Sequence, residues 1–230
     1  MQTISFINLS LTLIPLIFVW YFYKKWTYES YEIIYSTARM LIQLVAIGYV
    51  LLYLFEANNI FVGSLIILFM IIVSTFITIR NTIDHSFSHY IQIFTAIAIA
   101  GIINLVLIIG FVLELQSIYE PRYVIPIAGM IFANTMNALS LAIERFEKEY
   151  ERSDDFNEAR KIAFKACMIP QINALLAVGL VALPGMMTGQ ILSGVDPLIA
   201  VRYQIMIMTM VLSSAGISAI VYFILKQKAI

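Results

Sequence analysis

The chain of 230 residues is 61% hydrophobic and 12% charged, with a mean hydropathy of +0.91. Soluble domains carry about 25% charged residues, so this composition excludes an ordinary soluble protein and indicates a chain surrounded by lipid. The 14 basic and 14 acidic residues balance, which argues against a nucleic-acid-binding protein. The single cysteine, Cys167, excludes a disulfide framework or a cysteine metal cage and is typical of helix packing.

Seven apolar stretches have the length of about 20 residues that a membrane-spanning helix needs. The first has no basic residue before it and is followed directly by Lys24 and Lys25, the reverse of a secretory signal, so we expect it to stay as a helix with its amino end outside. The sequence therefore predicts an all-α, polytopic integral membrane protein, a single permease domain over 1–230, with spans at roughly 4–23, 33–55, 60–79, 91–114, 123–143, 172–192 and 199–225.

Basic residues near the ends of the spans predict the orientation, since cytoplasmic loops are enriched in Lys and Arg. With the amino terminus outside, only Arg122 and Arg202 fall on the outer side. The other twelve fall on the inner side: Lys24, Lys25, Arg39, Arg80, Arg145, Lys148, Arg152, Arg160, Lys161, Lys165, Lys226 and Lys228. We therefore expect a cytoplasmic carboxyl terminus and a multi-pass protein of the cell membrane.

One segment is markedly polar. Residues 144–165 hold 13 of the 28 charged residues, so we expect a cytoplasmic loop at about 144–169. Asp155 and Glu158 fit the start of a helix, and Pro170 is expected to end it or to open the next span. Such a helix is suited either to a groove on a partner protein or to the membrane surface; its apolar face would comprise Phe156, Ala159, Ile162, Ala163, Ala166 and Cys167.

Polar side chains within the spans are costly in lipid and often face a bundle interior or a water-filled path. Arg39 and Gln43 lie one turn apart, Asn134 and Asn137 share a face, and further amides occur at Asn104 and Asn173. Interhelical hydrogen bonds are the simpler interpretation of each one alone. Taken together, they are also compatible with a polar path across the membrane.

The densest group of unusual residues is 183–190, Leu-Pro-Gly-Met-Met-Thr-Gly-Gln. Pro184 and Gly185 are expected to interrupt a span, as happens where helices line substrate sites. The thioethers of Met186 and Met187 suit a soft cation or ordinary membrane packing. Gln190 follows them, and the run continues with Asp196, Pro197, Arg202, Tyr203 and Gln204.

Several kinds of chemistry find no support in the sequence. There is no GxxxxGK[ST] phosphate loop, and no Ser/His/Asp or paired-carboxylate arrangement lies within the spans. The spacing of His85 and His89 fits a weak two-histidine metal pair, but no Glu or Cys completes it. Acidic residues occur only at span ends, which argues against a carrier driven by protons or sodium. We therefore expect a transport protein without enzymatic activity or a resident cofactor, energised by another subunit.

Three groups of residues resemble the FetB-type ABC transporter permeases. They are 125–131 with Asn134, 179–189 with the motif Pro-Gly-Met-Met-Thr-Gly, and 196–206; Gly129, Met130, Thr188, Gly189, Asp196, Pro197, Arg202, Tyr203 and Gln204 belong to these motifs. The second span, with Arg39, Gln43 and Gly48, is similar to that family as well. The chain departs from the family pattern between 147 and 165, which is short and has no Leu-Gly-Ala element.

The resemblance implies a membrane subunit that pairs with a separate ABC ATPase, and in bacteria the family is associated with iron export. Related plant proteins are linked to aluminium tolerance and nucleotide-sugar transport, so an ABC permease for another solute is an alternative, as is a channel or membrane scaffold outside the ABC class. We expect alternating access in a homodimer with two ATPase subunits. The predicted ATPase contact is Phe156, Glu158, Ala159, Ile162, Ala163 and Ala166; the predicted path is Gln43, Asn134, Asn137, Asn173, Pro184, Gly185, Met186, Met187 and Gln190.

Overall fold

The structure is a computed structural model that describes residues 4–29, 31–56, 59–80, 82–115, 117 and 119–229. These residues form helices and turns, with one isolated β-bridge between Val178 and Ala182. The chain divides into two compact units, unit 1 over 1–57 and unit 2 over 58–230. Each unit is described by itself.

Unit 1 contains α1 (Phe6–Ser10), α2 (Leu13–Thr27) and α3 (Tyr31–Glu56). The Ser5 hydroxyl accepts a hydrogen bond from the Asn8 N–H and caps α1. Pro15 has no N–H to donate to the Leu11 carbonyl, which accounts for the turn between α1 and α2. Tyr28 ends α2 with a positive φ of 61°. The first two predicted spans correspond to α1 with α2, and to α3.

The described residues of unit 2 form six α-helices: α4 (Ile60–Ile79), α5 (Phe87–Leu107), α6 (Pro121–Ser153), α7 (Phe156–Ala177), α8 (Gly185–Leu192) and α9 (Pro197–Gln227). A π-helical turn, Ile108–Val112, continues α5. Side chains of Asn59, Ser86 and Asp196 cap α4, α5 and α9 by accepting hydrogen bonds from backbone N–H groups. Pro121 and Pro197 occupy the first helical positions of α6 and α9, where a missing N–H costs nothing.

The core of unit 2 lies where α5, α6 and α9 pack together. Ile97 of α5, Ile131 of α6 and Tyr222 of α9 are fully buried. Small residues bring the helices close: a Cβ added at Gly101 would overlap the Phe132 ring, so α5 and α6 approach each other through a glycine, as membrane helices commonly do.

Most of the charged residues of unit 2 gather at one end, which we call the charged end: 82–90, 144–165 and 222–228. The Glu147 carboxylate accepts a hydrogen bond from the Ile83 N–H at 2.9 Å. The Phe146 ring contacts the Phe223 ring with centroids 5.4 Å apart. The start of α5, the end of α6, the start of α7 and the end of α9 therefore share this end.

Within the described residues, six helical segments are long and apolar enough to cross a membrane: Phe6–Thr27, Tyr31–Phe55, Ile60–Ile79, Phe87–Val112, Pro121–Ser153 and Pro197–Gln227. The count of seven spans is not confirmed. The predicted sixth span, 172–192, is not one helix, because α7 ends at Ala177 and α8 begins only at Gly185.

The polar segment around 144–169 consists largely of helix. α6 continues to Ser153, and α7 begins at Phe156 after a turn in which Asp154 has a positive φ of 51°. The Asp155 carboxylate caps α7 by accepting from the N–H groups of Asn157 and Glu158, the start expected from the sequence. Of the two alternatives for Pro170, that it ends this helix is wrong: α7 continues through it for seven more residues, since its packing on α6 and α9 offsets one missing hydrogen bond. The alternative that Pro170 opens the next span stays a prediction.

Candidate functional site

A cavity of about 510 Å³ opens between the end of α5, the π-helical turn and α9. Its wall is mainly apolar, with Ile108, Met206 and Met210 among its residues. Four polar side chains interrupt that wall, and they are Asn104, Arg202, Thr209 and Ser213. A largely apolar cavity with a few placed polar groups is the usual form of a site for a small ligand.

Asn104 and Ser213 join the two walls of this cavity. The Ser213 hydroxyl donates to the Asn104 side-chain oxygen at 2.6 Å, and the Asn104 amide donates to the Ala100 carbonyl at 2.9 Å. Asn104 is buried, whereas Ser213 is half-buried. The pair therefore fixes an amide at the cavity wall and ties α5 to α9.

The π-helical turn lies beside this pair. Its wider turn closes with a hydrogen bond from the Leu113 N–H to the Ile108 carbonyl at 2.9 Å. Ile108 and Val112 of the turn line the cavity. Single π-helical turns within α-helices are often found at functional sites, which supports this cavity as the candidate site.

A second feature is the break between α7 and α8. Gly179 has a φ of +79°, and its N–H donates to the Ala182 carbonyl at 3.0 Å, forming a tight turn. Leu180 and Val181 at the turn are 89% and 87% exposed. Pro184 and Gly185 lie where α8 begins, so the interruption predicted at these two residues extends back to Val178.

Two buried amide oxygens near this break have no hydrogen-bond partner in the described part of the chain. They are the side-chain oxygens of Gln190 in α8 and Gln204 in α9. α8 packs on α9. Buried polar atoms normally have partners, so the α8–α9 contact is a place where a bound water or solute would be stabilised.

The residues predicted to line the path are dispersed. Asn134 is half-buried and donates to the Met130 carbonyl of its own helix at 2.8 Å. Asn137 and Asn173 are exposed, and Gln43 is an exposed residue of α3 in unit 1. Met186 and Met187 are half-buried, and Met186 packs on the core. None of these residues is among those that line the 510 Å³ cavity, whereas Arg202 from the family motif does line it.

The apolar face of α7 is used mainly inside the chain. Ala159 and Ala163 are fully buried, and the Phe156 ring meets the Phe146 ring edge-on at 5.2 Å. Ile162 and Ala166 are half-buried, and Glu158 is exposed. The predicted ridge for an ATPase is thus largely covered by the chain itself, because α7 folds back onto α6. The turn between α6 and α7 remains exposed, with Glu151, Arg152 and Glu158 open to solvent.

At the charged end, His89 is buried in a network of hydrogen bonds. Its Nδ1 lies 2.6 Å from the Asp84 carbonyl oxygen and its Nε2 lies 3.0 Å from the Tyr222 hydroxyl. His85 is exposed. Both ring nitrogens of His89 are thus occupied by protein, and no group of three or more His, Cys, Asp or Glu residues suited to a metal occurs in the described part of the chain. The arrangement is structural.

Asp84 completes this network. Its carboxylate lies 3.4 Å from the Lys226 ammonium and accepts from the Ser86 N–H at 2.9 Å. Partial burial would raise the pKa of the Asp84 carboxyl, but the hydrogen bonds from Ser86 and the electrostatic interactions with His89 and Lys226 outweigh it and lower the pKa to about 2. The loop before α5 is therefore tied to the end of α9 by a charged contact.

Asn104 was predicted as a polar residue of a membrane helix but not as part of the path, and Thr209 and Ser213 were not predicted as site residues. The available signal was the pair Ser213 and Ser214 in the middle of an otherwise apolar helix. Small hydroxyl residues at such positions commonly pair across membrane helices. Residue spacing could not identify Asn104, which lies 109 residues from Ser213 in the sequence, as its partner.

Comparison with known proteins gives a consistent result along the chain. The model of Uncharacterised protein family (UPF0014) matches residues 5–160 and 151–230. The Escherichia coli (strain K12) "Probable iron export permease protein FetB" is 34% identical over 83% of this chain and 78% of that protein. "UPF0014 membrane protein slr1647" of Synechocystis is 32% identical over 82% of this chain and 79% of its own. No solved structure matches.

A third relative covers nearly the full length. "UPF0014 membrane protein YjkA" of Bacillus subtilis is 31% identical over 96% of this chain and 93% of its own. The matched regions include α5, the π-helical turn and α9, which form the cavity.

Proposed function

Because the chain belongs to Uncharacterised protein family (UPF0014), we propose that it is the permease subunit of an ABC transporter that exports iron with the energy of a separate ATPase subunit. Two kinds of evidence support an all-α, multi-pass membrane protein of a permease-like family. They are the relatives of the chain and the six long apolar helical segments among its described residues. The observation that carries the proposal is the 34% identity to a probable iron export permease over 83% of the chain.

The long hairpin of α6 and α7 supports a contact with the ATPase. α6 has 33 residues and is about 50 Å long at 1.5 Å per residue, whereas the hydrocarbon core of a bilayer is about 30 Å thick. One end of α6 must therefore project into water, and the charged residues at its carboxyl end identify which. We assign the ATPase contact to the projecting turn, 149–158, where Glu151, Arg152 and Glu158 are exposed.

The cargo would pass through the cavity between α5 and α9. Asn104, Thr209 and Ser213 offer neutral oxygen atoms there, and Met206 and Met210 add thioethers. The break at 178–184 is a flexible connection between α7 and α8. It allows the carboxyl end of α7 to shift relative to α8 and α9 when the projecting turn moves. Gln43, Asn134, Asn137 and Asn173 remain candidates for other parts of the path on sequence grounds. A homodimer with two ATPase subunits would complete the transporter.

One observation favours a second cargo class. Arg202 is a cation at the cavity, and no Asp or Glu occurs among the described residues that line it. A bare metal cation gains nothing from this charge, whereas a chelated iron of negative charge or another anionic solute, such as a nucleotide sugar, would be attracted. The second candidate is therefore an ABC permease for an anionic solute.

Reconstitution in liposomes tests both candidates. The chain is combined with its ATPase, and ATP hydrolysis is measured together with movement of free ferrous iron, of iron citrate and of a nucleotide sugar. ATP-dependent movement of free ferrous iron supports export of iron as a cation, whereas movement of iron citrate or of the nucleotide sugar without movement of free iron supports the second candidate. If the chain neither stimulates hydrolysis nor couples it to movement of any solute, the ABC assignment fails. Solute movement without ATP would identify a channel.

A further inference from the structure

A groove of about 340 Å³ lies between α7 and α9 near the charged end. Its wall is apolar on the α9 side, where Ile220 and Ile224 are exposed, and two cations stand on the α7 side. The lining residues are Arg160, Lys161, Phe164, Ile220, Phe223 and Ile224. An apolar groove with cations at one side is complementary to a molecule that has an anionic headgroup and a hydrocarbon chain.

The exposed residues along α7 indicate where the groove lies relative to the membrane boundary. Lys161 and Lys165 are exposed, and the exposed residues farther toward the carboxyl end are apolar apart from Asn173, with Ile169 48%, Ile172 47% and Leu176 71% exposed. α7 is not among the six segments long and apolar enough to cross a membrane, but it packs on α9, which is one of them. Exposed apolar residues on such a helix face the hydrocarbon, and Lys side chains mark its edge. The membrane boundary on α7 therefore falls between about 161 and 169, at the level of Phe164 in the groove.

The two cations of the groove have no carboxylate partner among the residues that the structure describes. The Arg160 guanidinium donates to the side-chain oxygens of Asn157 at 2.9 Å and Gln227 at 3.4 Å, both neutral, and lies 5.6 Å from the centre of the Phe156 ring. Neither Arg160 nor Lys161 forms an ion pair with any described residue. Four other basic residues of the charged end are paired with acidic groups, namely Arg145, Lys148, Arg152 and Lys226, whereas Lys165 and Lys228 form no ion pair with the described residues.

We infer that this groove binds an anionic phospholipid, with the phosphate at Arg160 and Lys161 and an acyl chain along Phe164, Ile220 and Ile224. Basic pockets between membrane helices at the headgroup level bind such lipids. The hydrogen bonds to Asn157 and Gln227 hold the guanidinium in place, so less side-chain entropy is lost when the phosphate binds. The inference depends on the chain spanning the membrane and not on its cargo or on an ATPase.

Native mass spectrometry of the full chain in detergent tests the site, with phosphatidylglycerol and phosphatidylcholine as probes. Phosphatidylglycerol is expected to bind more tightly than phosphatidylcholine, by about fivefold for each cation that contacts the headgroup. The double variant Arg160→Gln with Lys161→Gln should lose this preference. The matched control, Lys24→Gln with Lys25→Gln, removes two adjacent cations from α2 and should keep it.

A second variant tests the hydrocarbon part of the site without altering charge. Ile220→Trp places a larger side chain on an exposed wall of the groove and should weaken phosphatidylglycerol binding while Arg160 and Lys161 remain. Millimolar inorganic phosphate should not displace the lipid, because phosphate has no chain to bury.

Four results would overturn the inference. They are equal affinity for the two lipids, an unchanged preference in the Arg160 and Lys161 double variant, an equal loss in the Lys24 and Lys25 control, and full displacement by phosphate. If the double variant instead loses ATPase binding and keeps its lipid preference, the groove belongs to the protein partner.

Discussion

His89 and Tyr222, 133 residues apart in the chain, are joined by a buried hydrogen bond of 3.0 Å between Nε2 and the phenol oxygen. The Asp84 carbonyl at Nδ1 can only accept a hydrogen bond, so in the neutral imidazole Nδ1 carries the proton and Nε2 accepts from Tyr222. This contact fastens the beginning of α5 to the end of α9. It closes the charged end of the bundle, next to the projecting turn between α6 and α7.

Replacing Tyr222 by Phe should destabilise the protein by about 1–3 kcal/mol, because the buried Nε2 of His89 loses its donor. Thermal unfolding in detergent, followed by far-ultraviolet circular dichroism, measures the change. Tyr49→Phe removes the hydroxyl of an exposed tyrosine and serves as the control. The double variant with His89→Leu should lose less stability than the sum of the losses in the two single variants. If the losses are fully additive, the hydrogen bond contributes nothing to stability.

The lowered pKa of Asp84 predicts a dependence of stability on pH. An aspartate in the unfolded chain has a pKa of about 3.9, and the folded value is about 2. The ionised carboxylate therefore stabilises the fold above pH 4, and this contribution is lost as the pH falls from about 4 to about 2. The difference in melting temperature between the natural chain and Asp84→Asn should be constant above pH 5 and shrink across that window.

The role of Lys226 can be separated in the same measurement. Lys226→Gln removes a positive charge that lowers the pKa of Asp84, so the contribution of the carboxylate to stability should be smaller and its loss should be complete at a higher pH. An unchanged profile would show that Lys226 does not help to hold the pKa down.

Replacing either of two glycines by alanine should change the stability of the protein in opposite directions. A methyl group at Gly101 would overlap the Phe132 ring, whereas nothing lies within 4 Å of one at Gly129. Gly101→Ala should therefore cost about 1–3 kcal/mol through overpacking between α5 and α6. Gly129→Ala should stabilise the interior of α6 by about 0.5–1 kcal/mol, since alanine loses less backbone entropy. Equal effects of the two variants would contradict the close approach at Gly101.

The sequence predicted most of the helices because lipid imposes a simple rule on it: a long apolar run between charged ends has to be helical. α4 agrees with the prediction at both ends, 60 and 79. The rule failed at 172–192, where the composition is apolar but Gly179 takes a left-handed conformation and Pro184 cannot donate a hydrogen bond. Hydropathy averages over such a turn and does not detect it.

The candidate cavity was less predictable because it depends on pairing between distant helices. Arg202 was chosen through its family motif, and Asn104 was recognised as polar, but the contact of Asn104 with Ser213 arises only when α5 packs on α9. The apolar face of α7 was identified from its spacing. Whether that face meets a partner or the chain's own α6 is a matter of tertiary packing, which helical periodicity does not record.

Substitutions of two adjacent serines distinguish a role of the cavity in transport from a general effect on helix packing. Ser213 donates to Asn104 at the cavity, whereas buried Ser214 donates to the Val211 carbonyl of its own helix. Ser213→Ala should lower ATP-dependent transport by about fivefold, the equivalent of about 1 kcal/mol for one hydrogen bond. Ser214→Ala should leave the transport rate unchanged. A larger effect at Ser214 would move the site away from this cavity.

Charge reversal at the projecting turn tests the ATPase contact. Glu151 and Glu158 are exposed on either side of the turn, and their replacement by Lys leaves the Asp155 cap of α7 in place. If the ATPase presents basic groups to these carboxylates, Glu151→Lys with Glu158→Lys should weaken its association by about tenfold at low ionic strength through a slower association rate.

The ionic strength of the buffer provides the internal check on that experiment. Contacts between exposed charges are screened over about 8 Å at physiological salt, so the difference between the variant and the natural chain should shrink as salt is added. Glu120→Lys, a charge reversal before α6 at the opposite end of unit 2, is the control and should leave association unchanged. Association that is insensitive to both salt and the double variant would place the ATPase contact outside the turn.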